Sequence, residues 1–310
     1  MRVDDLLTIA DGPIHVELLP AVGGRLHRLR VFGHDLLRTP DDPAEQARDP
    51  FRWGAYVMAP WCNRIAAEPT AVGDAIVRLP SNFADGTAIH GQVYEVPWQV
   101  REDGTLWVRG GGDGWPWPYE TTIRASIAGR VLTIEQTLTN LGPSPMPGGL
   151  GIHPWFRRPM DVRIPAALVL ISNSDPDAPI ESVSGQLDLR ELRRMPDDLD
   201  AAWLDPADPA DLTGTVADPS GDPSGDPSGD PVTELAWPDL GIRAALRARS
   251  EAGVCIVAAS PGWLDAIAVE PQTHLPQGLR RYLRGEPGGL RAIQPDATLR
   301  LTIELEFERI

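Results

Sequence analysis

ATLRLTIELEFERI, residues 297–310, alternates without a break. Leu299, Leu301, Ile303, Leu305 and Phe307 fall on one side of an extended chain, and Arg300, Thr302, Glu304, Glu306 and Glu308 on the other. Successive side chains of a strand point to opposite faces, so this period of two predicts a strand with one face buried and one in water. Further back, ETTIRASIAG (120–129) and RVLTIEQTLTN (130–140) are β-rich runs meeting at AGR, the pattern of a hairpin. VRIPAALVLIS (162–172) and GVCIVAAS (253–260) are more continuously apolar and predict strands buried on both faces. Glycine (30) and proline (32) punctuate the chain throughout, and no long helical period emerges. The expectation is an all-β protein, a large antiparallel sandwich.

At 310 residues the chain is short enough to be one such domain, residues 1–310. One interruption is expected, a low-complexity loop at about 206–231 that ends in DPSGDPSGDPSGDP (218–231). That repeat has no apolar side chain with which to offset its ordering entropy, so it predicts a flexible surface loop. The β pattern resumes in TELAWPDLGIRAALRA, which places the loop within a domain rather than between two.

Charge and composition remove several function classes. Acidic residues outnumber basic ones by 44 to 28, a formal net charge of −16. Such a field repels phosphate backbones and anionic lipid, so no nucleic-acid or membrane partner is expected. All 28 basic residues are arginine. Without lysine there is no Schiff-base or pyridoxal-phosphate chemistry and no P-loop. Two cysteines, Cys62 and Cys255, make neither a disulfide framework nor a CxxC pair. The N-terminal stretch MRVDDLLTIADG lacks the apolar core of a signal peptide, and no run approaches the roughly 20 apolar residues of a membrane span. A soluble cytoplasmic protein is expected, as monomer or homodimer.

Four stretches set titratable side chains among apolar or turn residues: APWCNRI (59–65), AIHGQ (88–92), GIHPWF (151–156) and AVEPQT (268–273). They supply Asn63, Arg64, His90, His153 and Glu270. Glu270 follows an apolar strand and precedes Pro271, which suggests a carboxylate at the mouth of a strand where pairing stops. Each residue also has a plain structural reading: a surface glutamate, a hydrogen-bonded core histidine, an ion-paired arginine. Two histidines and a glutamate could form a metal-binding triad, yet no HxH, HxxxH or HExxH pair fixes two imidazoles locally, and no metal site is expected. There is no GxSxG elbow, and Pro154 stands where a dinucleotide fingerprint needs glycine. Acid–base chemistry remains, beside ten tryptophans. Aromatic plates next to donors and acceptors suit a sugar ring, with its apolar C–H face and hydroxyl rim.

In this order, with GGRLHRLRVFGHDLL (23–37) ahead of them, PWCNRI, IHG, GGLGIHPWF and VEPQT resemble the ordered motifs of the aldose 1-epimerase (mutarotase) family. The resemblance implies a large antiparallel β-supersandwich, an isomerase needing no cofactor and no metal, and a small-molecule sugar substrate. It also implies His153 as general acid, Glu270 as general base, and Arg64 and His90 as residues that hold sugar hydroxyls, with Asn63 beside them. LDAAW (199–203) best matches the family's substrate-binding leucine–aspartate segment and makes Asp200 the candidate, although Asp197, Asp198 and Asp205 crowd it. The expected reaction interconverts α and β anomers of a free aldohexose by ring opening and reclosure. Glu270 is expected to be ionised near neutral pH, with His153 on the opposite side of the sugar. Rivals are a hexose-6-phosphate epimerase, for which Arg157 and Arg158 could hold phosphate, a non-catalytic carbohydrate-binding sandwich, and a metal-dependent cupin-like enzyme.

Overall fold

A computed structural model describes residues 5–204 and 232–310, so the DPSG repeat and Asp205 lie outside the described residues. The alternating C-terminal stretch forms the strand Thr298–Arg309, paired antiparallel with Val131–Asn140 on one side and Ile242–Arg249 on the other. It sits in the middle of a nine-stranded sheet. Leu299, Leu301, Ile303, Leu305 and Phe307 are all buried, and their neighbours are not. Arg247–Glu306 and Arg249–Glu304 ion pairs cross the outer face of this sheet. Trp115–Ala128 pairs with Val131–Asn140 as the expected hairpin around Gly129 and Arg130. Thr233–Trp237 and Ile242–Arg249 form another.

VRIPAALVLIS is not one strand. It divides into Asp161–Arg163, in the nine-stranded sheet, and Leu168–Leu170, in the other. Pro165 lies in the crossing between them, where its missing N–H leaves no ladder bond unmade.

The second sheet has eleven strands. Its centre runs, strand by strand, through Ala55–Met58, Gly151–Arg157, Ala266–Gln272, Cys255–Ala259 and Asp200–Leu204. One face of this sheet, with Val57, Ile152, Phe156, Ile267, Val269 and Trp203, packs on Leu132, Ile134, Leu301 and Ile303 of the nine-stranded sheet to form the main core. The opposite face carries Tyr56, Met58, Trp155, Ala266 and Ala268, packed beneath loops as a separate cluster with Cys62, Tyr94 and Leu264. Because both faces are covered, Gly151–Phe156 and Ala266–Gln272 are buried throughout and show no in–out alternation. The architecture is the antiparallel β-supersandwich. Helix is confined to short segments such as Glu45–Arg48 and Gly278–Arg284, and among the described residues no helix is long and apolar enough to cross a membrane.

Of the ten tryptophans, Trp61, Trp98, Trp115, Trp203 and Trp237 are fully buried core residues rather than sugar platforms. Their size fills the space between layers.

Candidate active site

Strand register makes the central contact. Gly151 pairs with Gln272 and Trp155 with Ala268, which sets His153 opposite Glu270 on adjacent strands. His153 also pairs with Tyr56, and Glu270 with Val257. Side chains opposite each other in neighbouring strands touch, and His153 Nε2 lies 3.1 Å from Glu270 Oε1. Two expectations change here. Glu270 is mid-strand, since the ladder continues through Pro271 opposite Ile256 and on to Gln272 opposite Cys255. The two groups are also in direct contact rather than separated by the width of a sugar. The second change has a structural reason, because residues opposite each other on adjacent strands bring their side chains into contact.

Surrounding side chains hold the pair. Gln272, two residues on and therefore on the same face, donates from Nε2 to Glu270 Oε2 at 2.8 Å. Tyr56 stacks on the His153 ring at 4.5 Å and 22°, and Trp155 approaches it at 4.7 Å. Trp155 is anchored in turn by its Nε1 donating to the Phe51 carbonyl at 2.6 Å. Behind Tyr56 lies the fully buried Arg25 guanidinium, 5.5 Å from the ring centroid, donating to the Val22, Pro50 and Tyr94 carbonyls.

The glycines before His153 make room for close approach. A Cβ on Gly148 would stand 2.6 Å from Ile293 Cδ1, one on Gly149 2.2 Å from His274 Cδ2, and one on Gly151 2.7 Å from Cys62 Sγ. His274 is itself a satisfied core histidine. Its Nε2 accepts the Cys62 N–H at 2.9 Å and its Nδ1 meets the Leu275 carbonyl at 2.8 Å.

Burial governs the charges. It pushes the His153 imidazolium down to about 3, and it pushes Glu270 well above the usual carboxylate range, with the nearby Asp200 charge adding to the rise. Neither a lone anion nor a lone cation is favoured here. The states left are those in which the two groups share one proton along the 3.1 Å line, as acid and imidazole or as carboxylate and imidazolium.

His90 and Asn63 brace each other across two loops. The His90 N–H donates to the Asn63 carbonyl at 3.1 Å, and the Asn63 N–H donates to His90 Nδ1 at 3.2 Å. Both residues have positive φ, 62° and 54°, in the left-handed region where Asn and His are enriched. Because Nδ1 accepts, the proton of neutral His90 is on Nε2, and burial holds its pKa well below the ordinary value. The ring stands edge-on to His153 at 5.2 Å. Arg64 donates from Nε to Asp85 Oδ2 at 2.7 Å and from Nη1 to Asn63 Oδ1 at 3.3 Å, and lies over Phe83. Asp200 accepts from Asn173 Nδ2 at 2.6 Å, and burial raises its pKa although its edge is open to the cavity.

Asn63, Arg64, His90, His153, Asp200 and Glu270 all line one cavity of about 400 Å³. Asp198 and Trp263 also line it, nearer the mouth. Asp197 turns away to Arg158 at 2.5 Å. Among the described residues, no three His, Cys, Asp or Glu side chains gather as a metal-binding group. Sequence reading missed Tyr56, Asn173 and Gln272. Gln272 had a signal, its same-face spacing from Glu270. Tyr56 and Asn173 had none, because their contacts exist only through strand and loop neighbours.

The sequence profile of the aldose 1-epimerase family matches residues 5–210, about two thirds of the chain. The chain belongs to the aldose 1-epimerase family. It is an isomerase of the EC 5.1.3 type. Among solved structures, a galactose mutarotase-like protein from Clostridium acetobutylicum is 18% identical, with 98% of this chain and 95% of that chain covered and a TM-score of 0.79. An aldose epimerase homologue from C. elegans is 18% identical, covering 98% and 99% with a TM-score of 0.78. Galactose 1-epimerase from Lactobacillus acidophilus NCFM is 16% identical, covering 100% and 97% with a TM-score of 0.72. At these identities the likeness is one of fold. No curated protein matches the sequence.

Proposed function

We propose that this cavity interconverts the α and β anomers of a free aldohexose. The observation that carries the reading is the 3.1 Å contact between His153 Nε2 and Glu270 Oε1 at the buried end of an open cavity. An incoming sugar draws the shared proton onto His153, leaving Glu270 as carboxylate. Glu270 takes the O1–H proton while His153 gives its proton to the ring oxygen, and the C1–O5 bond breaks to leave an aldehyde. After rotation about C1–C2, O5 attacks the other face of the carbonyl. His153 recovers its proton from O5, and Glu270 returns one to O1. No proton is gained or lost overall. His90 Nε2–H, the remaining N–H groups of Arg64, Asn63 and the Asp200 carboxylate hold the hydroxyls.

A free sugar is favoured over a phosphorylated one by the charges around the cavity. Arg157 donates to the Leu37 carbonyl, and Arg158 to Asp197 and to the Ser260 and Leu264 carbonyls. Arg64 and Arg52, which do line the cavity, are paired with Asp85 and Asp49. Two carboxylates, Asp198 and Asp200, share it with the His153–Glu270 pair.

Polarimetry of freshly dissolved α-D-glucose and α-D-galactose tests the reading. The protein is expected to accelerate mutarotation, and Glu270→Gln or His153→Gln to lower kcat by about 10²–10⁴-fold, the usual worth of one general catalyst. Acceleration undiminished in both variants would overturn it.

A further inference from the structure

Arg25 is fully buried, and its guanidinium donates only to backbone carbonyls, those of Val22, Pro50, Trp53 and Tyr94. Among the described residues no carboxylate pairs with it. Burial pushes its pKa down to about 10, which leaves it charged at neutral pH. A buried cation without a carboxylate is costly, and neutral donors would serve the same carbonyls. The carbonyls explain the donors but not the charge. Strand order shows where the charge acts. Leu26 pairs with Ala55, so Arg25 and Tyr56, one step on in each antiparallel strand, fall opposite each other on the reverse face. Tyr56 pairs with His153, and His153 lies opposite Glu270. The strands Arg25–Val31, Ala55–Met58, Gly151–Arg157 and Ala266–Gln272 are consecutive neighbours in the sheet. One row of side chains therefore runs guanidinium, phenol ring, imidazole, carboxylate. The guanidinium carbon is 5.5 Å from the Tyr56 centroid, and that ring is 4.5 Å from the His153 ring. The charge is thus within about 10 Å of the imidazole, the sum of those distances and twice the usual strand spacing.

We propose that Arg25 is a positioning residue for the reaction, a fixed cation at the end of this row that repels the proton on His153 and so strengthens the imidazolium as the acid that protonates the ring oxygen. The inference rests on the anomer-interconversion reading and adds to it a group that does not line the cavity. One unit charge at about 10 Å, in an interior of effective dielectric about 20, displaces a titration by roughly one pH unit. The charge opposes a second proton on the His153–Glu270 pair and eases loss of the shared one. Both ionisations of the pair therefore lie lower than they would without it. The other groups around the row do not cancel this field. Burial keeps Tyr56, Cys62 and Cys255 protonated and His90 neutral. Arg64, the other cation near the pair, is neutralised by Asp85, and Asp200 acts on Glu270 rather than on His153. Around Arg25 itself, Tyr94 is kept protonated by burial, Glu95 is exposed to water, and Asp49 is paired with Arg52. The Arg25 charge adds to burial in lowering His153.

The test is the pH dependence of glucose and galactose mutarotation in Arg25→Gln, whose amide keeps donors for the carbonyls and removes the charge. Both limbs of the kcat/KM profile are expected to move to higher pH by about one unit, and kcat to fall by up to about tenfold with KM little changed. Limbs that stay in place while KM rises would mean that Arg25 only holds the loop at Pro50 and Trp53, and the proposal is overturned. Arg25→Lys is the second variant, because a lysine here remains charged through neutral pH while losing the planar fork. Its acid limb is expected to match wild type. An acid limb displaced to higher pH in Arg25→Lys overturns the proposal whether or not Arg25→Gln folds. The nitrogen NMR resonance of His153 Nε2 at neutral pH gives a readout free of turnover. It is expected to shift toward the imidazolium position in Arg25→Gln and to stay with wild type in Arg25→Lys, and an unmoved resonance in Arg25→Gln also overturns the proposal. Should wild type accelerate neither sugar, the anomer reading falls, and the resonance alone decides whether Arg25 governs the pair.

Discussion

At the scale of the residue, Glu270 is tuned by one neutral neighbour. Burial and Asp200 raise its pKa, and the Gln272 hydrogen bond opposes them by stabilising the carboxylate. Gln272→Met keeps the volume and removes the donor, so the Glu270 pKa rises further. The acid limb of the pH–kcat/KM profile for mutarotation is expected to move to higher pH, with activity at high pH changed much less. A uniform drop across pH would instead mean that Gln272 serves packing alone. At this scale the sequence exposed the two groups of the buried pair, because His153 and Glu270 stand out as titratable side chains in apolar runs. Their protonation was not legible. An ordinary glutamate reference value leaves out the desolvation that raises Glu270 and lowers His153.

At the scale of the element, the strand Gly151–Arg157 and the Gly148–Gly149 approach to it behave as a fitted part. It meets Ala55–Met58 on one side and Ala266–Gln272 on the other, and both its faces are covered. Gly149 is the tightest point, with His274 where a Cβ would go. Gly149→Ala is expected to destabilise the fold by about 1–3 kcal/mol through overpacking, read as a lower urea midpoint with an unchanged m-value. An unshifted midpoint would show that the His274 ring can move aside at no cost. Amphipathic alternation made the C-terminal strand and the 115–140 hairpin readable from residues alone. A strand buried on both faces carries no such signal, which is why the end of Ala266–Gln272 was misjudged; in VRIPAALVLIS the two strands Asp161–Arg163 and Leu168–Leu170 are only partly buried, and the apolar run carried the reading across the break at Pro165.

At the scale of the whole molecule, four buried histidines burden the fold in acid. Burial lowers His153 to about 3 and His27 and His274 to about 4, and holds His90 well below its ordinary value near 6.5. Between about pH 4 and 6.5 the unfolded chain binds protons that the folded chain refuses, so stability falls as pH falls, by at most about 1.4 kcal/mol per pH unit for each group. Glu270 acts in the other sense. Its raised folded pKa favours the native state below that pKa, and this contribution is lost as pH rises through it. Asp200, also raised by burial, acts in the same sense as Glu270, and four groups against two give a net loss on acidification, so the urea midpoint is expected to be lower at pH 5.0 than at pH 7.5. An equal or higher midpoint at pH 5.0 would contradict the neutral state of these imidazoles.

Local order along the chain was enough to determine an antiparallel β architecture and to mark the residues able to carry chemistry. Alternation, turn residues and isolated titratable groups are properties of neighbours in sequence, and they need no partner to be read. Which of those groups meet was decided only in three dimensions. The register that sets His153 opposite Glu270, the loops that bring His90 to Asn63, and the second covering layer that strips water from all of them join residues far apart in the chain. Proximity and desolvation depend on packing across strands, and a linear pattern does not contain them.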